Sequence, residues 1–428
     1  MTTSAPLHEL IDFARRHSPF YRKQLAHITD PAIPLDQLPV INPVEYWRNS
    51  HSMNEWPVLT GPVAHALVFR TGGSTGAGKL SVYTRQEWQT LVRDFGASVT
   101  ERFKPGDRVA NLFYAGDLYA SFLFTHDALA HVDTDITEFP FTGNVADDTL
   151  VESITAQRIN VLTGLPARLL TLANELIRRG QTLPEVRALL YAGESLFTSQ
   201  REMLWQVFPN ARIDSLGYAS VDAGYLGASS ADCADGEHRV RDGQSLLEII
   251  DEESGDVIDE CGRIGLLVVT SLTRRLMPLL RYPVGDRACW LEAQGSPRRK
   301  FMLKGRSASS QRVRVGILSL MPDEIGQLVK GSVGSDDWQL VIEQAGHKDV
   351  VSLKWVPTGQ SPAMDEGNRA LEDGLLEQLP LIKHLRAEQL LELHVRRCRV
   401  DELPRHPRSG KCLRVLDLRV YEPAAEPA

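Results

Sequence analysis

Cysteine is scarce in this chain and shows no pattern. Five cysteines stand among 428 residues, at Cys233, Cys261, Cys289, Cys398 and Cys412. The number is odd and no two share a metal-ligand spacing, so neither a disulfide framework nor a zinc site is indicated. They read as reduced residues of a cytoplasmic protein. Long apolar runs are also missing. The longest, around 264–269, suits a buried strand and falls far short of a membrane span. Residues 1–6 are polar and lead into an amphipathic segment, without the apolar stretch of a secretory signal. Positive charge is not in excess: the net charge is −8, which gives no support to a nucleic-acid partner. The histidines are scattered, no Gly-x-Ser-x-Gly nucleophile elbow occurs, and no internal repeat is visible. What remains, with 43% hydrophobic and 24% charged residues, is an ordinary globular chain long enough for two or three domains.

Glycine is concentrated where it carries chemistry. Residues 71–79 read Thr-Gly-Gly-Ser-Thr-Gly-Ala-Gly-Lys. Glycines allow a tight turn and bring backbone N–H groups close to an anion. Thr71, Ser74 and Thr75 add hydroxyl donors and Lys79 adds charge, which makes this a polyphosphate loop. Gly73, Gly78 and Lys79 spell most of a Walker A loop, but Leu80 stands where that motif needs Ser or Thr for magnesium. The flanks, 64–69 and 81–83, both read as strand, whereas a Walker A loop runs from strand straight into helix. A helix starts only after Thr84, where Thr84-Arg85-Gln86-Glu87 forms a capping box.

The rest of the chain divides by rhythm. Residues 7–25 read as an amphipathic helix broken at Ser18-Pro19. From 109 strands and helices alternate: strands at 109–114, 132–136, 160–162 and 188–191, helices at 119–130, 149–157, 165–179 and 199–207. This alternation predicts a parallel sheet covered by helices. After 213 short strands follow, at 246–250, 265–271, 288–292 and 301–303, as in a β-rich subdomain. The polar stretch 305–310 reads as a hinge. Beyond it, strands near 339–343, 350–355 and 391–395 and helices near 322–329 and 368–378 predict a compact α/β domain. The expected fold class is α/β, with a large domain over 1–305 and a small mobile domain over 306–428.

These motifs together resemble the phenylacetate–CoA ligase branch of the adenylate-forming superfamily, near the shorter members of phenazine antibiotic biosynthesis. The resemblance covers nearly the whole chain. His17-Ser18-Pro19-Phe20-Tyr21 matches the family's opening helix, and 71–79 sits where its phosphate loop belongs. Leu162-Thr163-Gly164-Leu165-Pro166 and Tyr191-Ala192-Gly193-Glu194 resemble two of its turns. Arg281-Tyr282-Pro283-Val284-Gly285-Asp286, Gly305-Arg306 and Ser409-Gly410-Lys411 resemble its later motifs.

The resemblance implies activation of a carboxylic acid by ATP and Mg2+, and transfer of the acyl group to coenzyme A. Thr71, Gly72, Gly73, Ser74, Thr75, Gly76 and Lys79 would hold the β- and γ-phosphates. Gly193, Glu194, Tyr218, Ala219, Asp286 and Arg306 would hold adenine and ribose. Asp222 would ligate magnesium, and Lys411 would enter the site from the small domain. Phe113, Tyr114, Leu118 and Tyr225 are candidates for an aromatic acyl pocket. The chain departs from the pattern in places. Asp222 replaces the family's glutamate, Val221 falls where a hydroxyl touches phosphate, with Ser220 as a one-residue substitute, and Ala308 replaces an acidic hinge residue. Gly316 stands one place away from the glycine of the thiol tunnel. These changes leave other acceptors open: an amine, a hydroxyl or a carrier-protein thiol. A binding protein with impaired turnover is the reading from another class, and a homodimer is left open.

Overall fold

The computed structural model describes residues 5–28, 30, 33–70, 79–307, 313–316, 318–358, 361–404 and 412–419. The loop residues Thr71, Gly72, Gly73, Ser74, Thr75 and Gly76, the hinge residue Ala308, and Lys411 lie outside the described residues.

Short apolar runs form the centre of the large lobe. Val161–Gly164 and Ala188–Tyr191 are buried at every residue. A run of four is too short for a helix, and burial on both faces suits a parallel strand sandwiched by helices. They lie in a five-stranded parallel sheet, in the order Ile136–Phe139, Asp107–Asn111, Val161–Gly164, Ala188–Tyr191, Arg212–Ser215. The edge strand starts at Ile136, where the sequence suggested 132–136. The polar Asp133 and Asp135 belong to a turn whose Asp135 carbonyl accepts the Gly106 N–H at 2.8 Å.

A second, seven-stranded antiparallel sheet runs in the order Ser245–Ile250, Gly265–Ser271, Tyr282–Trp290, Lys300–Arg306, Glu237–Val240, Gly224–Ala228, Tyr218–Ser220. The N-terminal helix Ala5–His17 and the segment carrying Tyr46, Trp47 and Trp56 pack on it. The break at Ser18 is as expected: its hydroxyl accepts the Tyr21 N–H at 3.3 Å and Pro19 opens the next helix.

The strands Ala66–Arg70 and Leu80–Thr84 pair antiparallel, with Arg70 opposite Leu80, so the 71–79 loop joins two strands. The capping box at Thr84 is complete. Glu87 N–H donates to Thr84 Oγ1 at 3.1 Å, and Thr84 N–H donates to Glu87 Oε2 at 2.7 Å. The Arg85–Ser98 helix that follows buries Trp88, Val92 and Phe95.

Lys300–Arg306 takes its place within the antiparallel sheet, between Tyr282–Trp290 and Glu237–Val240. The small lobe is a four-stranded sheet, Leu391–Arg397, Lys348–Trp355, Trp338–Ala345, Val415–Asp417, with the Pro322–Val333 and Met364–Gln378 helices against it. One apolar cluster runs from the parallel sheet into this lobe. Polar contacts join them as well: Asn174 donates to the Glu388 carbonyl at 2.9 Å and Gln200 to the His347 carbonyl at 3.1 Å. Among the described residues no helix is long and apolar enough to cross a membrane.

Candidate active site

In a parallel sheet the strand ends that point out of the layer leave a crevice at their carboxyl edge, and ligands bind there. A cavity of about 320 Å³ opens at that edge here. Phe113, Leu165, Tyr191 and Ser215 each follow or end a parallel strand and line it. Gly193 holds the turn after Ala188–Tyr191. Its φ is +87°, and a Cβ there would come within 2.9 Å of a Leu165 methyl, so only glycine fits without displacement.

The antiparallel sheet supplies the opposite wall. Asp286 and Arg306 are register partners on neighbouring strands, and Arg306 Nε meets Asp286 Oδ1 at 2.9 Å. Tyr218 donates its hydroxyl to the other oxygen, Asp286 Oδ2. Burial first, and then the adjacent Asp286 carboxylate, hold the Tyr218 phenol well above its usual range, so it stays a donor. The Tyr218 ring stacks on His238, with centroids 5.7 Å apart. His238 is itself buried, which pushes its pKa down to about 3 and keeps the imidazole neutral. Gly193, Glu194, Ala219 and Asp222 line the same cavity.

Asp222 is held from several sides. Its Oδ1 accepts the Ser220 hydroxyl at 2.6 Å and the Ala223 N–H at 3.1 Å, and its Oδ2 accepts the Tyr282 hydroxyl at 3.0 Å. Tyr282 in turn accepts Trp47 Nε1–H at 2.9 Å. Ser220 therefore spends its hydroxyl on Asp222, where the sequence suggested a phosphate contact. Among the described residues no three His, Cys, Asp or Glu side chains converge on a metal position. One oriented carboxylate fits Mg2+, which takes few protein ligands and fills its octahedron with phosphate oxygens and water.

Arg274 fastens this wall to strand Leu80–Thr84. It is 2% exposed and, among the described residues, forms no ion pair. It donates to the Asp222 and Val82 carbonyls and lies 3.7 Å above the Tyr83 ring. The hydroxyls of Ser81 and Tyr83 both reach the Val221 carbonyl at 2.8 Å. Strand Leu80–Thr84 and the Asp222 turn thus move as one body. Lys79, at the loop's outgoing end, places Nζ 5.6 Å from the Trp47 ring centroid.

The acyl-pocket candidates divide. Phe113 lines the cavity, whereas Tyr114, Leu118 and Tyr225 do not. Leu118 is 43% exposed at a φ of +64°. The Tyr114 ring packs on Gly143, where a Cβ would come within 2.8 Å. Tyr225 is buried, with its hydroxyl 2.7 Å from Ser98 Oγ. Trp88, Leu91, Phe95 and Phe124 line the cavity as well. The i, i+3, i+7 spacing of the first three was visible in the sequence, but a helix stripe of that kind reads equally as core. Arg281, inside the Arg-Tyr motif, turns away and pairs with buried Glu248 at 3.0 Å.

The small lobe adds Val315, Gly316, Asp349, Leu385, Leu391 and Arg419 to the cavity wall. Its polar contacts with the large lobe include the 346–347 hairpin and the Glu388 carbonyl. Cys412, next to Lys411 in the chain, packs at the opposite end, 3.6 Å from the Trp338 carbonyl. The strand between these ends, Trp338–Ala345, is roughly 23 Å long at its usual rise.

No protein-family description matches the chain. A phenylacetate–coenzyme A ligase from Thermus thermophilus is 25% identical over 96% of this chain and 95% of its own length. An indoleacetate–lysine synthetase from Pseudomonas savastanoi is 30% identical over 43% of each chain. Among solved structures, a 2-hydroxyisobutyryl-CoA ligase in complex with 2-HIB-AMP and CoA superposes with a TM-score of 0.72. It is 19% identical, over 97% of this chain and 88% of that one, and shows the shared fold. Over nearly its whole length the chain is thus similar to phenylacetate–coenzyme A ligases, and it shares the fold of the 2-hydroxyisobutyryl-CoA ligase.

Proposed function

We propose that the chain is an AMP-forming ligase that activates an aromatic carboxylic acid and passes the acyl group to coenzyme A. The observation that carries this reading is the Tyr218–Asp286–Arg306 cluster facing an aromatic wall across one cavity. A carboxylate with two acceptor oxygens suits the vicinal hydroxyls of a ribose, and Tyr218, Ala219, Gly193 and Glu194, which line the same cavity, would surround the adenine. In the first step the acid's carboxylate oxygen attacks the α-phosphorus and the bond to the β-phosphate oxygen breaks, releasing pyrophosphate. The barrier is the approach of one anion to another, which positioned cations lower. Lys79 and the 71–76 loop would hold the leaving pyrophosphate, and Asp222 would hold magnesium, whose charge screens the phosphate oxygens. Lys411 would reach the carboxylate only after the small lobe turns, since Cys412 lies at the lobe's far end. In the second step the acceptor's thiol sulfur, having lost its proton, attacks the acyl carbon and AMP leaves.

Similarity to the indoleacetate–lysine synthetase favours a second reading, transfer to an amine. ATP–pyrophosphate exchange across a panel of aromatic acids tests the first half-reaction, and product analysis with and without coenzyme A separates the acceptors. Lys411→Ala is expected to abolish acid-dependent exchange while leaving transfer from a supplied acyl-adenylate intact. Exchange that survives this substitution removes Lys411 from the adenylation step.

A further inference from the structure

Two cations bracket the phosphate loop, and they face different surroundings. Lys79 follows the loop and lies against Trp47, outside the cavity lining. Arg70 precedes it, opposite Leu80, and lines the cavity. Its N–H donates to the Leu118 carbonyl at 2.9 Å, which ties it to the segment whose next residues, Tyr119, Ala120 and Ser121, form the cavity wall. The Arg70 side chain is half-buried. Its Nε is closed off from solvent without a hydrogen bond, and among the described residues no carboxylate pairs with it. The aspartates lining the same cavity are engaged elsewhere: Asp286 with Arg306, Asp235 with Arg201, Asp349 with Arg419, and Asp222 with Ser220 and Tyr282.

A guanidinium held partly out of water with no anion beside it is costly to keep, and an incoming carboxylate removes that cost. Its planar fork matches the two oxygens of a carboxylate. The loop already has backbone N–H groups, hydroxyls and Lys79 for phosphate, so the ligand still lacking a cation on the cavity side is the acid. We propose that Arg70 is the carboxylate-binding residue of the acyl site. It holds the reacting carboxylate in the cavity that Trp88, Phe95 and Phe124 also line. The assignment rests on the acid-activating reading above and adds to it: because Arg70 stands on the large lobe, the acid is held before Lys411 arrives and without nucleotide.

Calorimetric titration of the nucleotide-free full chain tests this. The ligands are benzoic, phenylacetic and indoleacetic acids and the matching carboxamides, which are neutral and nearly the same shape. The wild type is expected to bind at least one acid roughly tenfold or more above its amide. Arg70→Met is expected to lose roughly 10- to 100-fold of that acid's affinity. It should leave amide binding and the ATP KM within about twofold, and Arg70→Lys should recover part of the loss. Parallel losses for acid and amide, an unchanged acid affinity, a loss confined to the ATP KM, or no acid binding above its amide each overturn the assignment. Acid binding that depends on Arg70 in a protein without pyrophosphate exchange keeps this inference and removes the ligase activity. Exchange with an acid affinity indifferent to Arg70 does the reverse.

Discussion

Asp286 faces two donors, the Tyr218 hydroxyl and the Arg306 guanidinium, and keeps its place by strand register. Asp286→Asn retains the shape, removes the charge and gives one acceptor oxygen in place of two. The ATP KM from pyrophosphate exchange is expected to rise roughly tenfold or more, with little change in the KM of the acid. An unchanged ATP KM takes Asp286 away from the nucleotide. His238 carries a pH signature. Its folded pKa is pushed down to about 3 by burial, while the unfolded imidazole takes a proton below about 6.5. Between those values the unfolded chain binds the extra proton, so stability is full above 6.5 and falls with acid by up to about 1.4 kcal/mol per pH unit. His238→Phe should flatten the decline of the urea midpoint between pH 6.5 and 4, and an identical slope in both proteins excludes His238 as its source. At this scale the polar site was legible where a motif named it: Tyr218, Asp222, Asp286 and Arg306 all line one cavity. Tyr282, Arg274 and His238 were not, because their surroundings depend on partners that lie far away in sequence, such as the Trp47–Tyr282 contact across 235 positions.

Elements were legible where propensity and packing agree. The Thr84 capping box and the Ser18-Pro19 break appear where local chemistry puts them. Strands Tyr218–Ser220, Gly224–Ala228 and Glu237–Val240 were missed, since their glycine, alanine and charged residues have weak strand preference. Pairing to Lys300–Arg306 and to one another holds them. The Met364–Gln378 helix offers a test of packing against propensity. Replacing a helical glycine by alanine gains about 1 kcal/mol, and overpacking costs about 1–3 kcal/mol. At Gly367 an added Cβ would come within 2.7 Å of the buried Trp355 indole, which is fixed by its bond to Asn368 at 2.8 Å. At Gly374 it would meet, at 2.6 Å, the end of the partly buried Leu328 side chain, which can turn aside. Gly367→Ala should lower the melting temperature, while Gly374→Ala should leave it equal or higher. The opposite order would mean that Trp355 yields more easily than Leu328.

At the scale of the whole molecule, fold class followed from the alternation of strands and helices from residue 109, and the split into a large and a small lobe from the polar stretch 305–310. The way the three main sheets meet around one cavity did not, because a crevice between sheets leaves no local mark. The same burial sets the response to alkali. Tyr83 and Tyr191 are raised to about 12, and Tyr21, Tyr46 and Tyr218 are raised too, burial being the first cause in each. Above pH 10 the unfolded chain releases these protons while the folded chain keeps them. Stability is therefore full below 10 and falls as pH rises, by up to about 1.4 kcal/mol per unit for each tyrosine. The urea midpoint should drop steeply between pH 10 and 12, and a flat profile would mean that these phenols ionise in the native state. One further consequence comes from the walls that the two lobes share. A compound lodged between them is clasped by Asp286 and Arg306 on one side and by Leu391 and Arg419 on the other. If the lobes part as the proposed mechanism requires, that parting times its escape, and inhibitors of very different intrinsic stickiness should leave at nearly the same slow pace.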